Sequence, residues 1–253
     1  MEFNIATLME SIADVIPDNE AVVSGDVRLT YKQLDERANR FAHVLQQKGI
    51  GPGDHVGLYL FNGNEFLEAM LGTLKVRAVP ININYRYVED ELLYLFNDAD
   101  LKSLVFQREY AGRVAAIAEK VPTLKQYIYV DDETKAEVGS FNGIEANEYE
   151  SAVGAVSDER DFEERSGDDI FIVYTGGTTG MPKGVMWRHE DLFFAGLQGG
   201  NPGGEHHEKA EDLAARVASG DSLCLNFLPA APFIHGAAQW TAIIGWFGAG
   251  KII

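Results

Sequence analysis

The sequence predicts an α/β protein in which mostly parallel sheets are flanked by helices. Short apolar segments alternate with segments of helical spacing from residue 56 to residue 130, and the alternation resumes at residue 170. This β-α-β rhythm is typical of parallel sheets with helical crossover connections. An acidic stretch at 131–169, with few basic residues, is typical of a solvated excursion between folded parts. We therefore predict two lobes, residues 1–165 and residues 166–253.

The first lobe contains a helix that is predicted to begin at Thr30. Thr30 can cap this helix, and Gln33 stands at the reciprocal position of a capping box. Gly49 favours its end. Apolar residues then recur at helical spacing: Leu34, Ala38, Phe41 and Leu45. We interpret this segment as core scaffold.

The rest of the first lobe alternates between strand and helix. Short apolar runs predict strands at 56–60, 103–106 and 127–130, and helical spacing predicts helices from Phe66 to Leu74, at 88–96 and at 111–120. A polar patch after Pro80 has the composition of an ordinary loop: Asn82, Asn84, Tyr85 and Arg86.

The second lobe is predicted to open with a strand at 170–173. A helix at 190–197, a strand at 223–227 and a helix after His235 follow, and residues 251–253 have the composition of another strand's opening. Cys224, the single cysteine, is predicted to be a small buried strand residue.

The segment from Tyr174 to Gly184 reads YTGGTTGMPKG and has the composition of a phosphate-binding loop. Glycines allow backbone N–H groups to converge on an anion, threonines add hydroxyl donors and a lysine adds a positive charge. Pro182 disfavours helix at Met181, so the loop should return into a strand. The predicted binding residues are Thr175, Gly176, Gly177, Thr178, Thr179, Gly180 and Lys183.

From Thr175 to Gly184 the loop resembles that of the adenylate-forming superfamily, which reads roughly T-S-G-T/S-T-G-x-P-K-G. Gly176 stands where serine is usual, so one hydroxyl is lost while the backbone remains available. The resemblance implies that this loop binds the β and γ phosphates of ATP, and that Mg²⁺ bridges these phosphates near the Thr175 hydroxyl.

Two further segments are similar to the same superfamily. The segment LTYKQL at 29–34 is similar to an early family motif, and PFIHG at 232–236 is similar to a turn whose histidine lies between acyl group and nucleotide. His235 is therefore the predicted catalytic residue. Members of the superfamily carry further binding and catalytic segments later in their sequences, and these segments have no match here. We therefore expect an incomplete N-terminal domain.

The amino-acid sequences of these motifs are most similar to those of actinobacterial fatty-acyl-CoA synthetases. This resemblance implies a ligase that activates a fatty or sterol side-chain carboxylic acid with ATP and transfers the acyl group to coenzyme A. Two alternatives stay open: an acyl-AMP ligase or carrier-protein adenylation domain, and a nucleotide-binding module without catalysis.

Composition narrows the choice of partners and compartment. The net charge of −18 argues against nucleic acid, whose binding needs a basic surface. There is no apolar run of membrane-spanning length and no basic start typical of a signal peptide. We predict a cytoplasmic protein without a membrane span, and possible homo-oligomers.

Overall fold

A computed structural model of the chain describes residues 1–177 and 180–253 and confirms the predicted α/β class. Single turns of 3-10 helix lie at Arg108–Tyr110, Ala118–Lys120 and Gln198–Gly200. The helices and strands follow in the order α1 (Ile5–Val15), β1 (Glu20–Ser24), β2 (Val27–Thr30), α2 (Tyr31–Gln46), β3 (His55–Tyr59), α3 (Asn64–Lys75), β4 (Val79–Asn82), α4 (Glu89–Asp98), β5 (Leu101–Gln107), α5 (Ala111–Ile117), β6 (Gln126–Val130), β7 (Ser140–Phe141), β8 (Ile144–Glu145), β9 (Asn147–Glu148), α6 (Tyr149–Gly154), β10 (Ile170–Gly177), β11 (Gly180–Arg188), α7 (His189–Ala195), α8 (Ala210–Ser219) and α9 (Gly236–Phe247).

The largest sheet among the described residues has five strands in the order β4-β3-β5-β6-β9, and every neighbouring pair is parallel. The predicted strands at 56–60, 103–106 and 127–130 are its central members. Because parallel strands end at the same edge, the segments after β3, β4 and β5 lie together at the carboxyl edge. Ligands of parallel sheets usually bind at that edge.

Helix α2 begins as predicted. The Thr30 hydroxyl accepts a hydrogen bond from the Gln33 backbone N–H at 3.2 Å, and the Gln33 side chain accepts one from the Thr30 N–H at 2.9 Å. The preceding helix α1 was not among the predicted elements. It is capped by Asn4, whose side-chain oxygen accepts from the N–H groups of Ala6 and Thr7. Both helices bury an apolar face: α1 packs on α2, α3, α8 and α9, and α2 packs mainly on α3.

Strands β10 and β11 form an antiparallel hairpin. Strand β11 includes Pro182. The chain thus returns into a strand here and does not open a helix, which confirms the prediction made from Pro182. The base of the hairpin lies beside β4. The hairpin therefore extends from the carboxyl edge of the parallel sheet.

The larger hydrophobic core takes side chains from both sides of residue 165. Leu8 and Phe41 belong to the same buried cluster as Phe193 and Trp246. The Trp246 indole N–H also donates to the Ala21 carbonyl at 3.0 Å. The division into lobes at residue 165 stays a prediction.

The predicted strand at 223–227 is wrong. Cys224 adopts a φ of +46°, which interrupts an extended run, and its thiol is exposed rather than buried. Its backbone N–H donates to the Gly248 carbonyl at 2.9 Å. Only single bridges form nearby, where Ile252 pairs in parallel with Val22 and with Phe227.

The interpretation of residues 131–169 as a solvated excursion is wrong in part. Strand β9 extends the sheet, and α6 buries Tyr149 completely. Arg160 donates to Asp35 at 2.8 Å, while Arg165 donates to Glu10 at 2.8 Å. The stretch is thus attached to α1 and α2 by buried or half-buried ion pairs.

None of the helices within the described residues is both long enough and apolar enough to cross a membrane.

Candidate functional site

The hairpin tip presents part of the predicted phosphate loop to solvent. Thr175 lies opposite Lys183 in the register of β10 and β11, and Gly177 lies opposite Gly180. Thr175, Gly176, Gly180 and Lys183 are exposed. Thr178 and Thr179 lie outside the described residues, so their predicted roles stay predictions. A hydroxyl and an ammonium group are available side by side to an anion at this tip.

Two glycines of the loop differ in how much space surrounds them. A Cβ at Gly184 would lie 3.0 Å from ring carbon Cε2 of Tyr174 and from Cγ2 of Ile172, so the close approach of β10 favours glycine there. A Cβ at Gly176 would lie 3.6 Å from the Tyr87 hydroxyl, which is ordinary contact. Serine, which is usual at that loop position, would therefore fit at 176 without displacing a neighbour.

Asn82, at the end of β4, links the two predicted parts of the site. Its side-chain amide donates to the carbonyls of Tyr174 at 2.8 Å and Ile234 at 2.6 Å, and its side-chain oxygen accepts from the Tyr174 N–H at 2.8 Å. The residue is 3% exposed. One buried amide thus holds the start of the phosphate loop and the turn before His235 together.

The assignment of Asn82 to an ordinary loop is wrong. A sequence signal was present, because the asparagine ends a short apolar strand at the edge where ligands of parallel sheets bind. Its three buried hydrogen bonds join segments that are 92 and 152 positions away in the chain, and spacing along the sequence does not reveal such contacts.

His235 is exposed and stands at the N-cap position of α9. Its backbone N–H donates to the Pro232 carbonyl at 2.9 Å, and its side chain makes no capping hydrogen bond. A Cβ at the following Gly236 would lie 2.8 Å from Val173 Cγ1, so α9 begins in direct contact with β10. The imidazole is free of structural hydrogen bonds within the described part of the chain, and it stands beside the strand that leads into the phosphate loop.

Tyr174, the residue before Thr175 on β10, holds the hairpin in place from a second side. Its hydroxyl donates to the Asp98 carboxylate at 2.8 Å, which joins β10 to the end of α4. Burial raises the pKa of Tyr174, and the bond to Asp98 raises it further, so the phenol stays protonated and keeps donating. Asn82 and Asp98 together fix the position from which Thr175 and Lys183 project.

His189, at the first position of α7, is 1% exposed and lies outside this site. Its Nδ1 accepts a hydrogen bond from the Ile5 N–H at 3.2 Å. Burial lowers the pKa of His189 to about 4, so the ring is neutral at physiological pH. Its role is to join the start of α1 to α7.

Trp240 packs edge-to-face on Trp187, with ring centroids 5.7 Å apart. The contact joins α9 to β11 and accounts for the half-buried indole of Trp240.

The described residues contain no group of three or more histidine, cysteine, aspartate or glutamate side chains placed to hold a metal ion. The Thr175 hydroxyl, a weak single ligand, is the predicted metal contact. Mg²⁺ commonly keeps several waters and is held by one or two protein groups together with substrate phosphates. This donor set suits an ion that arrives with a nucleotide and does not suit a permanently bound ion.

Comparison with protein families gives a match to the AMP-binding enzyme model over residues 9–253. Among curated relatives, the 3-oxocholest-4-en-26-oate–CoA ligase of Rhodococcus rhodochrous is 46% identical over 255 residues, covering 100% of this chain and 45% of the relative. The medium/long-chain-fatty-acid–CoA/3-oxocholest-4-en-26-oate–CoA ligase of Mycobacterium marinum is 46% identical over 249 residues, covering 95% and 44%. This chain therefore spans less than half the length of these relatives.

A more distant relative is Bacitracin synthase 1 of Bacillus licheniformis, which is 32% identical over 188 residues, covering 74% of this chain and 3% of the synthase. Among solved structures, the inhibitor-bound N-terminal domain of FACL13 from Mycobacterium tuberculosis superposes with a TM-score of 0.76 at 27% identity, covering 100% of this chain and 57% of that domain. The anthranilate CoA ligase AuaEII bound to anthranoyl-AMP has a TM-score of 0.79 at 20% identity, which is a likeness of fold.

Proposed function

Because the chain belongs to the AMP-binding enzyme family, we propose that it is the N-terminal, phosphate-binding portion of an ATP-dependent acid–CoA ligase. One observation carries this proposal: buried Asn82 joins the strand leading to Thr175 and Lys183 with the turn that presents His235. Asn82 thus positions the proposed phosphate-binding tip and the candidate acyl-transfer residue relative to each other at the carboxyl edge of a parallel sheet.

The proposed reaction has two steps. An oxygen of the substrate carboxylate attacks the α-phosphorus of ATP, the bond from that phosphorus to the bridging oxygen breaks, and pyrophosphate leaves with the electron pair. The thiolate of coenzyme A then attacks the acyl carbon, a carbon–sulfur bond forms, the bond from that carbon to the phosphate oxygen breaks, and AMP leaves with the electron pair. The first step activates the acid, because the acyl-adenylate can expel AMP, whereas a free carboxylate would have to expel oxide, a poor leaving group.

In this proposal Lys183 and the backbone N–H groups of the loop bind the β and γ phosphates. Negative charge grows on these phosphates as pyrophosphate departs, and donors fixed in position stabilise that charge. The Thr175 hydroxyl would help to hold a Mg²⁺ ion brought by ATP, and that ion would neutralise charge on the phosphates. His235 is the residue proposed to shield the reacting carboxylate from water.

The proposed acid is a fatty acid or a steroid with a carboxylated side chain. Support comes from the relatives at 46% identity, which are named as ligases of such acids. Coenzyme A is the proposed acceptor, because these relatives are named as CoA ligases. A cytoplasmic location stays a prediction from composition.

Product analysis of the full-length enzyme that contains this chain tests the proposal. With ATP, coenzyme A and a panel of fatty and steroid acids, we expect acyl-CoA, AMP and pyrophosphate in equal amounts. Omitting the acid should abolish AMP release. Formation of ADP, or no acid-dependent AMP with any member of the panel, would contradict the assignment.

A further inference from the structure

The segment between β4 and α4 is held in a fixed conformation by three hydrogen bonds at Tyr87. The Tyr87 backbone N–H donates to the Asn84 carbonyl at 2.9 Å. The Tyr87 carbonyl accepts from the Tyr59 hydroxyl at 3.2 Å and from Nη1 of Arg113 at 3.0 Å. Tyr59 ends β3 and Arg113 lies on α5. The position of the Tyr87 backbone is therefore fixed by both a strand of the sheet and a helix beside it.

The side chain of Tyr87 extends from this fixed backbone toward the phosphate loop. Among described residues that are not adjacent to Gly176 in the chain, only Tyr87 places an atom within 4 Å of a Cβ built there, and that atom is its hydroxyl oxygen, at 3.6 Å. Within residues 1–177 and 180–253, this hydroxyl has no hydrogen-bond partner, unlike those of Tyr59 and Tyr174. Burial raises the pKa of Tyr87, and nearby Glu91 raises it further, so the hydroxyl stays protonated.

We infer that the Tyr87 hydroxyl is a phosphate ligand of the loop and supplies the donor that Gly176 lacks. This inference rests on the proposed function, since it assigns a further residue to the same phosphate site. A half-buried phenol with a fixed backbone loses little freedom when it binds, so its hydroxyl is preorganised for an anionic oxygen. Glycine at 176 leaves the space beside the hydroxyl open to the ligand.

A purely structural role for Tyr87 makes a different prediction. If the ring only separates the hairpin from the segment after β4, then Tyr87→Phe keeps the ring and should change neither ATP binding nor catalysis. If the hydroxyl binds phosphate, the loss should be restored by placing a hydroxyl on the opposite side of the same gap. Gly176→Ser does this, because a Cβ at that position makes ordinary contact only.

The test compares four variants of the full-length enzyme: Tyr87→Phe, Tyr85→Phe, Gly176→Ser and the double variant Tyr87→Phe/Gly176→Ser. Tyr85→Phe is the matched control, since it removes a phenol hydroxyl from the same segment, and no atom of Tyr85 lies within 4 Å of the Gly176 Cβ position. The readouts are acid-dependent ATP–pyrophosphate exchange, the dissociation constant of ATP by calorimetry without acid, and the melting temperature.

We expect Tyr87→Phe to weaken ATP binding and to lower kcat/KM for exchange by roughly ten-fold or more, the usual effect of losing a hydrogen bond to a charged group. Tyr85→Phe should stay within about two-fold of wild type, as expected for a change outside the site. The double variant should recover most of the loss, with all four melting temperatures unchanged.

Wild-type exchange and ATP affinity in Tyr87→Phe would overturn the inference, as would a loss that Gly176→Ser does not restore. Failure of the proposed function is distinguishable from both results, because the wild-type enzyme would then show no acid-dependent exchange at all.

Discussion

At the scale of single residues, Asn82 links the strand that leads to Thr175 with the turn before His235. Replacing it with alanine removes three hydrogen bonds and leaves the Tyr174 N–H and two carbonyls buried without partners. We predict that Asn82→Ala lowers the free energy of unfolding by about 3 kcal/mol, since each unpaired buried group costs ~1–3 kcal/mol. Urea denaturation measures this loss.

Asn84→Ala is the matched control for that measurement, because Asn84 lies two positions later and its side chain accepts a single hydrogen bond, from the Arg86 N–H at 2.9 Å. We expect a loss well below that of Asn82→Ala. Equal losses in the two variants would contradict the linking role of Asn82.

His235 should behave in the opposite way, with a large effect on chemistry and a small one on stability. Its side chain makes no capping bond and is exposed, so His235→Ala removes little that holds α9 in place. We predict slower transfer of the acyl group to coenzyme A in single-turnover assays of the full-length enzyme, with nearly the same melting temperature. A large fall in melting temperature together with normal transfer would instead assign a structural role.

Residue patterns predicted the loop and the turn but not the residue that joins them. The glycines, threonines and Lys183 carry a local signal, since their spacing is set by the chain itself. The contacts of Asn82 depend on how distant segments pack together, and the local spacing of residues does not predict such packing. Cys224 was placed wrongly for a related reason, because its positive φ depends on contacts with the end of α9.

At the scale of elements, a buried ion-pair network fastens α1 to α2, α3 and the segment at 160–165. Lys75 is 2% exposed, and its ammonium donates to Glu10 at 2.6 Å and to Asp35 at 2.7 Å. Burial alone would raise the pKa of Glu10, but the charges and hydrogen bonds of Lys75 and Arg165 outweigh it and lower the pKa from 4.5 to about 2.

A carboxyl whose pKa is lowered by folding stabilises the folded state above its unfolded pKa, and this contribution disappears as pH falls toward its folded pKa. We predict that Glu10 stabilises the chain by roughly 3 kcal/mol above pH ~5 and that the contribution is lost between about pH 4.5 and pH 2. Urea denaturation across this range should show a steep loss of stability in wild type.

Glu10→Gln should flatten that pH dependence, because it removes the titrating group. Glu36→Gln is the control, since Glu36 forms only an exposed pair with Lys32 at 3.7 Å. A slope that is the same in Glu10→Gln as in wild type would exclude Glu10 as its source.

The positions of the regular elements were largely predictable, whereas this network was not. The capping box of α2 and the three central strands of the sheet have local signals of cap residue and apolar run. Arg160 and Arg165 lie in an acidic stretch, and their partners are on helices more than 100 residues earlier. Sequence charge alone therefore suggested a solvated segment.

At the scale of the whole molecule, the described residues expose an apolar surface near the last residues of the chain. Its members are Leu223, Leu225, Leu228 and Ile253, of which Leu228 is 73% exposed. We predict that the isolated 253-residue chain self-associates through this surface. The double variant Leu225→Ser/Leu228→Ser should elute at a smaller size in chromatography, while an unchanged elution would contradict the prediction.

The same isolated chain is predicted to be folded but unable to form acyl-CoA. Its cores are large and span the sequence, but adenylation needs the carboxylate and the α-phosphate held in near-attack geometry. We expect that the hairpin tip alone does not provide that geometry. Turnover by the isolated chain comparable to that of the full-length enzyme would contradict this division of labour.

The overall α/β class followed from the alternation of apolar and helical segments, but the way in which the two predicted lobes share a core did not. Trp246 reaches Ala21, and Phe193 packs in one cluster with Leu8 and Phe41. Such contacts join segments that periodicity treats separately. Only the three-dimensional arrangement shows that one buried cluster takes residues from both predicted lobes.

The central claim is that the hairpin tip binds the phosphates of ATP during acid activation, and Lys183 tests it most directly. Acid-dependent ATP–pyrophosphate exchange should be measured in the full-length enzyme with Lys183→Ala and with the control Lys48→Ala, which removes an exposed lysine two residues after the end of α2. We predict that Lys183→Ala lowers exchange by roughly a hundred-fold at unchanged melting temperature, as expected for a donor to developing charge, while Lys48→Ala remains at the wild-type rate. Exchange at the wild-type rate in Lys183→Ala would contradict the claim.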